Sequence, residues 1–228
     1  LEGAMQNIDF VIHTAAVVGD PASKLFPEDT KSINETASYQ LIDLARERKV
    51  KGFIFFSTCS NYGIANDLAT EETPLSPLSL YAESKVNVER YLTDNVKDMD
   101  WVIGRLSTIY GASPRMRFDL TVNDFTLNGW KKQYLDIFLP ESYRPYIHVF
   151  DLANVMMNII ANFDKVKNNV FNIGFSGENY QKIQIANTVK KYIPDVKIDI
   201  LKEGGDKRDY QVDFSKLHKF ISVKQIFN

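Results

Sequence analysis

The run Gly52-Phe-Ile-Phe-Phe-Ser57 is apolar at every interior position. A strand with one wet face alternates apolar and polar residues, and a strand covered on both faces does not. Such a strand needs a layer above and a layer below, which a parallel sheet with helical crossovers supplies. The rest of the chain keeps that rhythm. Residues 8–13 read as a first strand and 30–49 as a helix, with Ile33, Ala37, Leu41, Ile42 and Leu44-Ala45 at helical spacing. Residues 52–57 are the second strand, 66–79 a loop with Pro74 and Pro77, 80–96 a helix and 100–106 the third strand. The first strand is expected in the middle of the sheet.

Beyond Gly111 the alternation loosens. A helix is expected to end near Gly129, with strands near 133–138 and 146–149. Asp151 is expected to cap a helix running to about Phe163, followed by a strand at 170–173, a helix at 181–192 and a strand at 196–201.

Tyr81-Ala-Glu-Ser-Lys85 carries the most chemistry. Residues four apart share a helix face, so the ammonium of Lys85 can sit beside the phenol of Tyr81. A nearby cation favours the phenolate and is expected to draw the tyrosine pKa down from about 10. A tyrosine so tuned can take a proton from an alcohol. Upstream, Ser57-Thr58-Cys59 ends the second strand and offers hydroxyls to the same place.

Composition narrows the alternatives. A net charge of -2 gives no electrostatic footprint for nucleic acid, and no apolar run approaches the roughly 18 residues of a membrane span. The single cysteine, Cys59, fits a reducing cytoplasm. His13 and His148 have no metal-ligand company, so no metal is expected.

The ordered set of motifs resembles the extended short-chain dehydrogenases/reductases of the nucleotide-sugar epimerase and dehydratase kind. It comprises Asp9-Phe-Val-Ile-His-Thr-Ala-Ala16, Asn34, Ser57-Thr-Cys-Ser-Asn-Tyr-Gly63, Tyr81-x-x-x-Lys85, Arg105 to Gly111, Arg144-Pro-Tyr-Ile-His-Val-Phe-Asp151, Phe171-Asn-Ile-Gly174 and Asp206-Lys-Arg-Asp-Tyr-Gln-Val-Asp213. The resemblance implies an α/β fold, a Rossmann-like doubly wound parallel sheet truncated at its N-terminal side, with a smaller mixed α/β substrate-binding region. Residues 1–112 would be a partial dinucleotide-binding domain, and 113–228 mainly a substrate-binding region interleaved with it.

It also implies roles. Ala15, Ala16, Asn34 and Ser57 would line an NAD or NADP cofactor, together with Tyr81 and Lys85. Thr58, Tyr81 and Lys85 would be catalytic, with Lys85 holding the nicotinamide ribose. A nucleotide-diphosphate sugar would meet Cys59, Ser60 and Thr108, with Asn123, Arg144 and Arg208 on its diphosphate. Family members often pair through two long helices, so a homodimer through 30–49 and 80–96 is expected.

Three departures from the family pattern matter. The glycine turn that brings a helix N-terminus to the pyrophosphate is not in this chain; the usual layout puts it roughly 60 residues before Leu1. The chain therefore reads as part of a longer protein and is expected to be inactive alone. Cys59 and Ser60 stand where 4,6-dehydratases carry an Asp-Glu pair, which disfavours dehydration. Thr108 and Val18 replace an asparagine and a lysine of hexose 4-epimerases. The expected activity is 4-epimerisation through a transient 4-keto sugar. A 4-keto-sugar reductase or epimerase-reductase, in which Cys59 is the acid/base, is the alternative. A non-catalytic dinucleotide-binding scaffold is the reading from another class.

Overall fold

The computed structural model describes residues 2–227. Its centre is a parallel four-stranded sheet in the order β1 (Phe10–His13), β2 (Gly52–Thr58), β3 (Trp101–Leu106), β7 (Asn169–Ile173). The period of two along β2 and β3 sorts their side chains between two helical layers. Phe53, Phe55, Trp101 and Ile103 face α3 (Ala37–Glu47) and α4 (Leu80–Asn95) in one core. Ile54, Val102 and Leu106 face α6 (Val149–Ala161), α7 (Phe163–Val166) and α9 (Ser215–Phe220) in the other. Both faces are covered, which is why β2 carries no polar residue before Ser57.

Among the described residues the first strand has a neighbour on one side alone, the gap expected beside it in a sheet truncated at its N-terminal side. β1 forms one edge of the sheet, and Ile12 is 40% exposed because no described residue pairs with or covers its outer side. The 30–49 helix is interrupted. Short helices α1 (Asp20–Leu25) and α2 (Pro27–Lys31) lead into a π turn at Ser32–Thr36, and only then α3 begins. The wider turn carries Asn34 inward, where its amide accepts from Val17 N at 2.7 Å and donates to Val17 O at 3.0 Å.

Two short strands escaped the periodicity. β4 (Thr108–Tyr110) and β8 (Asn179–Gln181) flank β6 (Tyr143–His148) in a second sheet. Three residues are too few to show an alternation. β5 (Tyr134–Phe138) and β9 (Lys197–Leu201) form a parallel pair beside α5 (Thr121–Lys132) and α8 (Lys182–Tyr192). The cap of α6 is His148, whose Nδ1 accepts from Phe150 N. Asp151 lies inside the first turn, and its carboxylate accepts from Ile226 N and Phe227 N.

Helix α4 positions the site. Ser79 caps it by accepting from Ala82 N. Its inward face repeats every three to four residues as Ala82, Lys85-Val86, Glu89 and Leu92, all buried. Two of these are charged. Glu89 is clamped to Arg105 of β3 by bonds of 3.2, 3.1 and 2.8 Å, and Asn61 Nδ2 adds another at 2.9 Å. Ser57 donates to the same carboxylate. Arg105 also donates to Tyr62 OH and to Glu71 O, so every arm of the pair is satisfied. Breaking such a pair leaves an uncompensated buried cation. Glu89→Ala is therefore expected to cost about 3–5 kcal/mol in denaturant unfolding. A loss within about 1 kcal/mol would mark the pair as no stronger than a surface bridge.

Candidate active site

A cavity of about 1450 Å³ opens at the C-terminal ends of β1, β2 and β3, where a parallel sheet receives ligands. It exceeds the roughly 300–1,000 Å³ of a single small-molecule pocket, so two ligands can share it. Its walls are Thr14 and the 18–21 loop after β1, Thr58 and Ser60 after β2, Tyr81 and Lys85 of α4, and Thr108 after β3. Arg144 and Arg208 close the far side.

Thr58 and Tyr81 both line the cavity. Burial pushes the phenol up to about 12, opposed by the nearby Thr58 hydroxyl and by the charges of Arg117 and Arg208. The expected lowering by Lys85 is not what the geometry provides. The shared helix face is there, but the ammonium turns toward the sheet and sits 4.8 Å over the ring of Phe55. Burial lowers Lys85 to about 8, with Glu89 one turn on pulling it back up. Burial, with help from Lys85, also lowers His13 to about 4, and His13 pairs with Ser38 at 2.8 Å at the end of β1.

Arg117 is the residue sequence reasoning missed. It lines the cavity and pairs with Asp119 at 2.6 Å, and its charge reaches the Tyr81 phenol. The only hint was its place in Arg115-Met116-Arg117, a pair that reads as solvated.

Arg208 is bidentate on Asp206, with Nε to Oδ1 at 2.9 Å and Nη2 to Oδ2 at 2.6 Å. Its Nη1 donates to Ser60 Oγ at 2.7 Å. Arg144 approaches Asp206 to 3.0 Å without an aligned hydrogen bond, and stacks 5.1 Å over Tyr210. Burial works against the Asp206 charge, but the two guanidiniums outweigh it and hold the carboxyl well below the usual range. The like charges of Arg144 and Arg208 add to burial in lowering Lys182 on the same wall.

Other predicted site residues stand elsewhere. The thiol of Cys59 turns away from the cavity, donating to Arg105 O at 3.2 Å among Tyr62, Tyr210 and Phe214. Burial pushes that thiol far up, so Cys59 is a core residue rather than pocket lining. Asn123 bonds Gly111 N and Arg117 O and borders a separate apolar hollow of about 360 Å³, away from Arg144 and Arg208. Ser57 does line the cavity, but spends its hydroxyl on Glu89. Asn34 is a buried staple for the loop after β1, and Ala15 and Ala16 lie toward the open edge outside the cavity wall.

The profile of the NAD dependent epimerase/dehydratase family matches residues 1–174. UDP-glucose 4-epimerase of Lactobacillus helveticus is 26% identical over 96% of this chain and 72% of its own length. An uncharacterised UDP-glucose epimerase of Bacillus subtilis, YtcB, is 30% identical over 60% of the chain and 44% of its own. The chain thus spans between about half and three quarters of these curated relatives. Among solved structures, UDP-glucuronic acid 4-epimerase from Bacillus cereus, in complex with UDP-glucuronic acid and NAD, superposes with a TM-score of 0.88 at 24% identity. That match covers 100% of this chain and 73% of that one. UDP-glucose 4-epimerase from Thermotoga maritima, with UDP-glucose, gives 0.82 at 26% identity, covering 96% and 74%. A Rossmann-like parallel sheet, a tyrosine lining the cavity at its mouth and a family match that takes in all four strands of that sheet agree: the chain belongs to the NAD dependent epimerase/dehydratase family.

Proposed function

We propose that the chain is part of an NAD(P)-dependent epimerase that inverts C4 of a nucleotide-diphosphate sugar through a transient 4-keto intermediate. The observation that carries this reading is one cavity lined both by the hydroxyls of Thr58 and Tyr81 and by the guanidiniums of Arg144 and Arg208. The first pair suits proton transfer at a sugar hydroxyl and the second suits a diphosphate.

The donor set fits a dinucleotide. Lys85 is a buried cation on the cavity wall with no hydrogen-bond acceptor among the described residues, and Ala15 and Ala16 after β1 are small and accessible. Lys85 would hold the ribose and the alanines would let the rings approach. An oxidised nicotinamide supplies a hydride acceptor and a positive charge when bound. Tyr81, a neutral phenol in this setting, is ready to return a proton to a keto oxygen. Taking the proton in the forward direction calls for cationic charge near the phenol, and Arg117 and Arg208 contribute it. Thr58 orients the reacting oxygen.

The reductase-epimerase alternative needs Cys59 as an acid/base, and a thiol buried in the core with its pKa pushed up is unsuited to that. The relatives named for UDP-glucose and UDP-arabinose 4-epimerisation also favour epimerase chemistry. We assign it to the cytoplasm, in line with the one unpaired, buried cysteine. The exposed Leu25, Phe26 and Ile33, on the helical run that packs against α4, support a homodimer through these helices. A monomer by sedimentation of the full-length protein would refute the dimer.

Two substitutions test the site in the full-length protein. Tyr81→Phe should cut kcat for UDP-hexose epimerisation by roughly 10²- to 10⁴-fold and leave UDP-sugar affinity within about threefold. Unchanged turnover would point to another base, and no turnover by the wild type would favour a scaffold. Lys85 lowers stability for function. Its folded pKa of about 8 against an ordinary 10.5 means the unfolded chain binds the extra proton, so the penalty is complete below about pH 8 and is relieved toward 10.5. Lys85→Met should therefore be more stable than wild type by roughly 2–3 kcal/mol at pH 7, the gap closing as pH rises through that window. A less stable methionine variant at pH 7 would refute the penalty.

A further inference from the structure

The loop after β1 reaches across the cavity and grips both of its charged walls. Gly19 sits at φ 88° and ψ 152°, a conformation open essentially to glycine alone. A Cβ there would meet Arg117 Nη2 at 3.2 Å, so the loop lies directly against the arginine that acts on Tyr81. The next residue, Asp20, lines the cavity, and its Oδ2 is 3.3 Å from Arg208 Nη2.

Arg208 has five N–H donors. Nε is taken by Asp206, Nη2 is shared between Asp206 and Asp20, and one Nη1 hydrogen goes to Ser60. The second Nη1 hydrogen has no partner among the described residues, but an incoming anion can gain the Nη2 edge only by displacing a carboxylate. Asp206 is held by the backbone N–H and side chain of Arg208 and by Arg144, so it stays. Asp20 has one long ionic contact to Arg208, and its buried Oδ1 has no hydrogen-bond partner among the described residues. An unsatisfied buried oxygen favours any move that returns it to a partner or to water.

We propose that Asp20 is a competing internal anion: it and a phosphoryl oxygen of the ligand contend for the same Nη2 edge of Arg208. The 18–21 loop turns about Gly19 when the ligand wins. Asp20 is then a specificity residue, selecting ligands whose charge suffices to replace a carboxylate, a nucleoside diphosphate over a nucleoside or a free sugar. The inference rests on the nucleotide-sugar reading and concerns Asp20 alone within it.

The test is a double-mutant cycle on the full-length protein, with UDP as the probe and calorimetry as the readout. Asp20→Asn should bind UDP roughly tenfold tighter than wild type, because the amide no longer competes as an anion. In an Arg208→Gln background the same substitution should change UDP affinity by less than about twofold. Equal tightening in both backgrounds would reduce the effect to general charge removal and overturn the proposal, as would weaker or unchanged UDP binding by Asp20→Asn. Hydrogen exchange gives a readout that does not depend on the Arg208 variant. In the wild type, UDP should raise exchange at residues 19–23, where Ser23 N is bonded to Gly19 O at 3.1 Å. Slower exchange there would count against loop release. Wild type binding UDP no better than uridine would instead defeat the nucleotide-sugar reading itself.

Discussion

The bond between Glu89 and Arg105 is what lets the rest of the site exist. An α-helix that must place Lys85 at the mouth of a parallel sheet necessarily turns a charged face inward, because Lys85 lies on the same stripe as Ala82, Val86 and Leu92. A lone buried charge on that stripe would favour withdrawal of the helix. Glu89, one turn on, reverses the tendency by joining Arg105, Ser57 and Asn61 beneath it. The anchored residues lie immediately beside the reactive ones: Ser57 precedes Thr58, and Glu89 follows Lys85 by four. The same network ties α4 to β7 through Tyr62 and Asn172, bonded at 2.6 Å, so three elements share one polar core.

That anchoring changes how the tyrosine–lysine pair operates. The pair shares a face, yet the ammonium answers to Phe55, Glu89 and His13, while the phenol answers to Thr58, Arg117 and Arg208. Proximity along the helix is therefore not the same as electrostatic coupling. The phenol's acidity is set first by burial and then moderated by Thr58 and by arginines arriving from remote segments, and the same Arg208 lines the cavity with Arg144. On the proposed reading, charge at the ligand's phosphates and protonation at its sugar would be linked through a single guanidinium.

Much of this was legible in the residues and some was not. The unbroken apolar run at 52–57 identified a doubly covered strand, and the sheet order confirms the Rossmann-like class. Ordered motifs pointed to Thr58, Tyr81, Lys85, Arg144 and Arg208, and the fold gathers all five around one cavity. Side-chain direction is what a linear motif cannot carry. Cys59 and Ser60 are neighbours, but a 3₁₀ turn sends the thiol into the core and the hydroxyl to Arg208. Asn34 looked like a cofactor contact, and a π turn made it a loop staple. Arg117 and Asp20 carry no motif, since their importance comes from loops that meet only after folding.

The central claim is that the hydrogen on the sugar's C4 leaves as hydride while Tyr81 takes the proton of the C4 hydroxyl, and returns to the opposite face of the keto carbon. The most direct measurement follows a UDP-hexose labelled with deuterium at C4, incubated with the full-length protein and NAD. The account predicts product inverted at C4 with the deuterium still on that carbon and none in the solvent. Washout of the label into water, or a deuterium left on a C4 that never inverts, would contradict it.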